Sequence, residues 1–374
     1  MIVGLNTGGA EAMLKRLIES SMAQGDFEHA VLSLTDIGTI GLQLREAGVD
    51  VQALGMHHAS QAPWFLWRLV RLIRASRPTI VQTWMYHADL LGGVAARLAG
   101  CRNVIWGIRT ISLATGATSP TACVRAICAA LSSFLPRLVV CVASRARDAH
   151  IAIGYDPRRM VVVPNGFDMD KLVATPAQSA AVRAACGWDA SLLVVGCIGR
   201  FHTDKDQRNF VLAAAMLAQR RENVRFLMVG RGVDTSNSEL RQWIKRTGFE
   251  QLFALLGERG DVPSCLAAMD IYCLPSRTEG CPNVVGEAMA MGVPCVVTDV
   301  GDAAMLVGQS GVIVPKEDAG ALARGMEQLA GMGNDARRRL GALGRARIQS
   351  EFSMTLARSR FEALYRSLLV KEQG

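Results

Sequence analysis

No run of this sequence reaches the roughly 18 uninterrupted apolar residues that a membrane-spanning helix requires. The nearest window, residues 123–143, is interrupted by Arg125, Pro136 and Arg137, so a spanning segment is not expected. The amino-terminal stretch also lacks a basic region followed by an apolar core and a cleavage site, which argues against secretion. The ten cysteines include no Cys-x-x-Cys pair and sit mostly inside apolar runs, the pattern of reduced, buried thiols in a cytosolic protein rather than of a disulfide or zinc framework. No nucleic-acid recognition module is present, so nucleic acid is not an expected partner. Low complexity is absent too, because the 36 glycines are scattered at the ends of apolar runs, as many strand-to-helix turns demand.

What is present is length, apolarity and positive charge. A chain of 374 residues, half of them hydrophobic, exceeds what one core usually serves. A net charge of +8 favours anionic partners without choosing among them. Short apolar runs at 30–35, 49–54, 79–83, 103–106 and 138–142 alternate with amphipathic segments, and a second set follows at 192–198, 224–229, 253–256, 271–274, 294–298 and 311–314. That rhythm predicts parallel strands with crossover helices in two doubly wound domains. The pattern breaks at Pro164-Asn165-Gly166. The expected division is 1–166 and 167–351, with a final helix over 352–370 packing back on the first domain. The opening strand is confined to residues 1–4, short for a central strand; either it is truncated or the true start lies upstream.

Three motifs carry chemistry. Gly8-Gly9-Ala10-Glu11 joins a strand to a helix through bare backbone, which suits a phosphate at a helix N-terminus and equally suits a tight turn. Gly199-Arg200-Phe201-His202-Thr203-Asp204-Lys205 follows the first strand of the second domain and sets two cations five residues apart, a clamp for a diphosphate or a solvated basic loop. Glu279-Gly280-Cys281-Pro282-Asn283-Val284-Val285-Gly286-Glu287 links a strand to a helix that Asn283 is expected to cap. Its free N–H groups would face a phosphate, and its two carboxylates would face sugar and ribose hydroxyls.

Together, Gly8-Gly9-Ala10-Glu11, Arg200 with Lys205, and Glu279 with Glu287 resemble the retaining glycosyltransferases of family 4, which have the GT-B fold: two Rossmann-like domains facing each other across a cleft. The resemblance covers almost the whole chain. It implies that Glu287 binds the nucleotide ribose. Glu279 and the backbone of Gly280, Cys281, Pro282, Asn283 and Val284 would hold the donor sugar and phosphate. Arg200 and Lys205 would hold the diphosphate, Gly9 would close the site, and the loop 257–262 would read the base.

The family's His-x-His is missing. Its place is taken by Gln82-Thr83-Trp84, and His87 is the candidate substitute, with helix packing as its other reading; Arg109 is a further candidate. Two Asp-x-Asp pairs, Asp168/Asp170 and Asp204/Asp206, are explained by chance, so no metal and no cofactor beyond the sugar-nucleotide substrate is expected. The expected reaction moves a hexosyl or N-acetylhexosaminyl unit to an acceptor hydroxyl of a glycan or lipid-linked glycan. A sugar-nucleotide epimerase of the same fold and a non-enzymatic sugar-nucleotide-binding subunit are the alternatives. Finally, Arg68, Arg71, Arg74 and Arg77 recur at three-residue spacing behind Trp64 and Trp67, which suits either a solvated helix face or peripheral contact with an anionic membrane.

Overall fold

A computed structural model describes residues 1–58, 61–110 and 120–370. The chain forms two compact units. The first holds residues 1–166 together with the terminal helix Met354–Val370, and the second is Phe167–Ser353.

In the first unit the order is α1 (Gly9–Met22), β1 (Ala30–Ser33), α2 (Gly38–Glu46), β2 (Asp50–Ala53), α3 (Ala62–Ser76), β3 (Val81–Gln82), α4 (Tyr86–Ala99), β4 (Val104–Ile108), α5 (Pro120–Leu131), β5 (Leu138–Cys141), α6 (Ser144–Ala152) and β6 (Met160–Val162). α1 shows how sequence becomes packing. Glu11 in its first turn complements the helix dipole, while Met13, Leu14, Leu17, Ile18 and Ser21 bury one stripe. The terminal helix packs into the same core, and its fully buried Phe361 contributes roughly 2–3 kcal/mol there.

All strand pairs of this unit are parallel, but they fall into two sheets, β1-β2 and β3-β4-β5-β6. The opening strand expected over 1–4 is reduced to single bridges from Ile2 to Ser33 and to Trp84. The run expected at 79–83 narrows to Val81–Gln82. β6 was not anticipated from the sequence; three residues between a turn and Pro164 are too few to show a period.

The second unit contains α7 (Pro176–Ala185), β7 (Leu193–Ile198), α8 (Gln207–Ala218), β8 (Val224–Val229), α9 (Ser238–Lys245), β9 (Phe253–Leu255), α10 (Val262–Ala267), β10 (Ile271–Leu274), α11 (Asn283–Ala290), β11 (Cys295–Thr298), α12 (Ala303–Val307), β12 (Gly311–Val314), α13 (Ala319–Ala330) and α14 (Asn334–Glu351). Its six strands form one parallel sheet in the order β12-β11-β10-β7-β8-β9. β7 is buried along its whole length. Val194 and Ile198 join one core while Leu193, Val195 and Cys197 join the other; β10 divides likewise, Tyr272 and Leu274 against Ile271 and Cys273. A strand with a hydrophobic core on each face reads as a continuous apolar run, which is why these strands stood out in the sequence.

The strand order also positions the site. From β7 the chain winds outward to β8 and β9, then returns to lay β10, β11 and β12 on the other side. The reversal falls between β7 and β10, and in open parallel sheets ligands bind beyond the carboxyl ends of the strands at this point.

Candidate functional site

The loop after β7 and the loop after β10 meet at that reversal. Beyond β7 the chain passes Gly199 and exposes Arg200, whose carbonyl accepts from Gln207 Nε2 at 2.7 Å. Gly230, at φ +145°, lets the loop after β8 approach, since a Cβ there would lie 2.1 Å from the Gly199 carbonyl oxygen. A single 3-10 turn, Thr203–Lys205, is capped by His202, and Asp206 then caps α8.

Lys205 Nζ reaches across to Glu279 Oε1 at 2.5 Å. Ser276, fully buried, donates its hydroxyl to the same oxygen at 2.7 Å, and Thr298 Oγ1 donates to the Ser276 carbonyl at 2.7 Å. A second tie joins the loops: Arg277 N donates to the Asp204 carbonyl, and Arg277 Nε donates to Asp206 Oδ2 at 2.8 Å. The segment 279–280 is also supported from behind. Asp302 N donates to the Gly280 carbonyl at 2.9 Å. Gly301 sits at φ +54° so close that a Cβ would fall 2.2 Å from the Glu279 carbonyl oxygen.

α11 opens immediately afterwards. Asn283, expected as its cap, is instead the first helical residue; Pro282 holds the cap position with an extended backbone and makes no side-chain cap bond. The reason is geometric: proline's fixed φ favours the extended conformation that a cap position needs. The first-turn N–H groups lack intrahelical partners by construction. Pro282 and Cys281 are buried and Val284 and Glu287 half-buried, with Glu287 just past the first turn.

The structure thus brings Lys205 and Glu279 into contact, with Arg200 on the same loop as Lys205 and Gly280, Cys281, Pro282, Asn283, Val284 and Glu287 on the segment that follows Glu279. Sequence reasoning gave no role to Ser276, Arg277, Thr298 or Gly301. Ser276 had a local signal, lying three residues before Glu279; the others are joined to the site only by tertiary contacts. In the loop 257–262, Arg259 pairs with Asp261 through two bonds of 2.8 and 2.7 Å.

The remaining candidates lie in the first unit. Gly9 is exposed as the first residue of α1. His87 is half-buried at the second position of α4, and burial lowers its pKa below the ordinary histidine value. It follows Met85, held at φ +75°, a conformation that stores strain in a residue other than glycine. Arg109, one residue past β4, stacks 4.4 Å over the Trp84 ring and donates to Asn165 Oδ1. A further buried group, without a local signal in the sequence, lies on α4. Asp89, 1% exposed, accepts from Thr83 Oγ1 at 2.6 Å and from Gly107 N at 3.2 Å. Burial pushes its pKa up to about 7 despite those two bonds.

Of the Asp-x-Asp residues, Asp206 is committed to Arg277 and to the α8 cap, and Asp168 accepts from Asp170 N. Among the described residues, no group of three or more His, Cys, Asp or Glu comes together as a metal site.

Residues 7–171 match the family described as Glycosyltransferase Family 4, and residues 193–331 match Glycosyl transferases group 1. The chain belongs to these glycosyltransferases. It is 30% identical over 60% of its length to the lipopolysaccharide core biosynthesis mannosyltransferase LpsB of Rhizobium meliloti, covering 67% of that protein. It is 26% identical over 62% of its length to the UDP-Gal:alpha-D-GlcNAc-diphosphoundecaprenol alpha-1,3-galactosyltransferase of Escherichia coli, of which it covers 60%. The matched part of the chain therefore spans about two thirds or less of these relatives. Anabaena Alr3699/HepE, solved in complex with UDP and glucose, superposes with a TM-score of 0.82 over 98% of this chain and 99% of that one, at 22% identity. The fold is GT-B, two Rossmann-like domains with parallel sheets.

Proposed function

We propose that this glycosyltransferase moves a hexosyl or N-acetylhexosaminyl unit from a nucleoside-diphosphate sugar to an acceptor hydroxyl, with retention at the anomeric carbon, in the synthesis of a cell-surface polysaccharide or lipid-linked glycan. The observation that carries this reading is the Lys205–Glu279 contact at the sheet's reversal point, on the loop that carries exposed Arg200 and on the segment that leads into α11. Relatives that act on a diphosphoundecaprenol-linked sugar and in lipopolysaccharide core synthesis support the acceptor class.

The chemistry follows from charge. As the bond between the sugar's anomeric carbon and the phosphate oxygen breaks, negative charge grows on the departing diphosphate. Arg200, Lys205 and the first-turn N–H groups of α11 are placed to receive it, and such contacts act most strongly in the transition state. Glu279 Oε1 is already engaged by Lys205 and Ser276, which orients Oε2 toward a sugar hydroxyl. Glu287 accepts from the ribose. The acceptor oxygen bonds to the anomeric carbon on the face the diphosphate leaves, and its proton passes to a phosphate oxygen of the leaving group. No protein base and no divalent metal enter this scheme.

The same reading places the enzyme in the cytoplasm, peripheral to a membrane. No helix among the described residues is long and apolar enough to cross one. α3 exposes Trp64 and Trp67, with Arg68 and Arg71 stacked over them at 5.6 and 4.8 Å, a basic aromatic face suited to anionic lipid. The reading is tested by incubating the purified protein with uridine and guanosine diphosphate sugars and a lipid-linked acceptor. NMR of the product should show the anomeric configuration of the donor; an inverted product, or an epimerised sugar nucleotide without transfer, refutes it.

A further inference from the structure

Two sets of contacts join the loop after β7 to the loop after β10. The first is the Lys205–Glu279 pair at 2.5 Å. The second lies beside it: Arg277 N donates to the Asp204 carbonyl and Arg277 Nε to Asp206 Oδ2, each at 2.8 Å. The same guanidinium reaches a third loop, the turn between β12 and α13, where Glu317 Oε1 lies 3.5 Å from Nε. One arginine thus gathers the chain beyond β7, β10 and β12.

The backbone around this arginine adopts conformations that have to be held. Among the described residues four non-glycine residues have a positive φ, and two of them, Asp206 at +45° and Glu317 at +58°, pair with Arg277. Cβ sterics disfavour a left-handed residue other than glycine, so it persists only where its surroundings fix it. Asp206 is buried with both carboxylate oxygens engaged: Oδ1 accepts from Asn209 N and caps α8, and Oδ2 accepts from Arg277. That turn matters to Lys205, the residue just before it. Lys205 ends the 3-10 turn and Asp206 turns the chain into α8, so the direction in which the Lys205 side chain leaves the backbone depends on Asp206 staying left-handed. Without the arginine, a buried carboxylate would lose its cationic partner, a state that proteins strongly disfavour.

We propose that Arg277 is a positioning residue for the transfer reaction: through Asp206 it keeps Lys205 aimed at the departing diphosphate once the Lys205–Glu279 pair has opened. The inference rests on the functional reading above. A bound donor draws Lys205 toward phosphate and Glu279 toward a sugar hydroxyl, which weakens the contact that ties the two loops in the free protein. The Arg277 contacts use neither group, so they maintain the loop spacing during the step in which charge develops on the leaving group. Displacing a charged group by about 1 Å at that step costs rate more than binding.

The test is a double-mutant cycle on the full chain, assayed by transfer from uridine and guanosine diphosphate sugars to the lipid-linked acceptor, with UDP and GDP binding followed by calorimetry. Arg277→Ala should lower kcat about tenfold while changing UDP or GDP affinity less than about threefold. In a Lys205→Ala background the same change should cost less than about twofold, because the group through which Arg277 acts is gone. Arg277→Lys should restore most of kcat, since Asp206 takes a single bond from Nε, which an ammonium can replace where it could not replace a bidentate fork. Asp206→Asn should match Arg277→Ala: asparagine suits both a helix cap and a left-handed turn, so it breaks the pair in a folded chain even where Arg277→Ala does not fold. A tenfold loss that persists without Lys205, or a lower Tm with normal kcat, overturns the inference and leaves Arg277 a structural residue. A wild type that transfers no sugar refutes the functional reading, and the inference with it; an active wild type whose two penalties simply add overturns the inference alone.

Discussion

Both units gather polar side chains just past the carboxyl ends of adjacent parallel strands, yet the two clusters have opposite character. In the second unit Lys205, Glu279 and Ser276 form a network of 2.5 and 2.7 Å contacts, with Arg200 exposed on the same loop as Lys205. In the first unit Thr83, Asp89 and the Gly107 amide close on each other inside the protein. Lys205 gives Glu279 a charged partner, whereas Asp89 has two neutral hydrogen-bond donors and full burial, so its carboxyl holds its proton up to about pH 7. Under the proposed function the first cluster meets a ligand's charge; the second ties the β3–α4 turn to β4 through the Asp89 bonds to Thr83 and Gly107.

The largest effect should separate the two clusters by pH. Asp89 has a folded pKa of about 7 against an ordinary value of 3.8, so it binds its proton more tightly in the folded state. Its stabilisation is complete below about pH 4 and is lost as pH rises through 7. Asp89→Asn keeps an acceptor for Thr83 and Gly107 but cannot ionise. Denaturant melts at pH 4 and pH 8 should show the wild type losing on the order of 3 kcal/mol more than the variant. Equal losses would mean that Asp89 does not titrate inside the fold.

In the second unit the expected loss is in turnover. Arg200→Ala and Lys205→Ala should each lower kcat on the order of 10²-fold with little change in folding, and EDTA should leave the wild-type rate intact. Full loss with chelator and recovery with Mg²⁺ or Mn²⁺, while both variants keep normal rates, would transfer charge neutralisation from these side chains to a metal. Glu287→Ala should weaken sugar-nucleotide binding by about 2 kcal/mol in calorimetry and leave Tm nearly unchanged. Unaltered affinity in a folded variant removes Glu287 from the site.

Smaller effects probe how each cluster is supported. Ser276→Ala leaves the Lys205 pair but frees Glu279 to rotate, which should raise the KM for the sugar nucleotide about fivefold, or ~1 kcal/mol, with kcat less affected. A lower Tm with unchanged KM would make Ser276 structural only. The smallest change is expected from Trp67→Ala, which should reduce co-sedimentation with anionic vesicles a few-fold and increase its sensitivity to salt. Equal binding of wild type to neutral vesicles at high salt would count against α3 as the contact.

Strands flanked by helices on both faces were legible because burial on both sides leaves a continuous apolar run: Val224–Val229 and Ile271–Leu274 coincide with the expected segments. Short elements were not, and β6 and the Ile2 bridges depend on neighbours that no local period reveals. The same holds at the site. Glu279 and Glu287 stand out because a strand, a turn and a helix follow in sequence, while Arg277, Thr298 and Gly301 reach the site through the sheet.

The sequence by itself determined two doubly wound α/β domains, through alternating apolar runs and helices, and the candidate loops, through glycine, charge and proline at strand ends. Those are local properties, set by side-chain period and backbone preference. Tertiary structure alone decided that β7 and β10 lie side by side, that Lys205 meets Glu279 across 74 residues of chain, and that Asp89 is sealed from water. It also decided that the first unit's sheet is open between β1 and β3. Strand order, burial and the pKa values that follow from burial depend on which segments become neighbours, and no single segment carries that information.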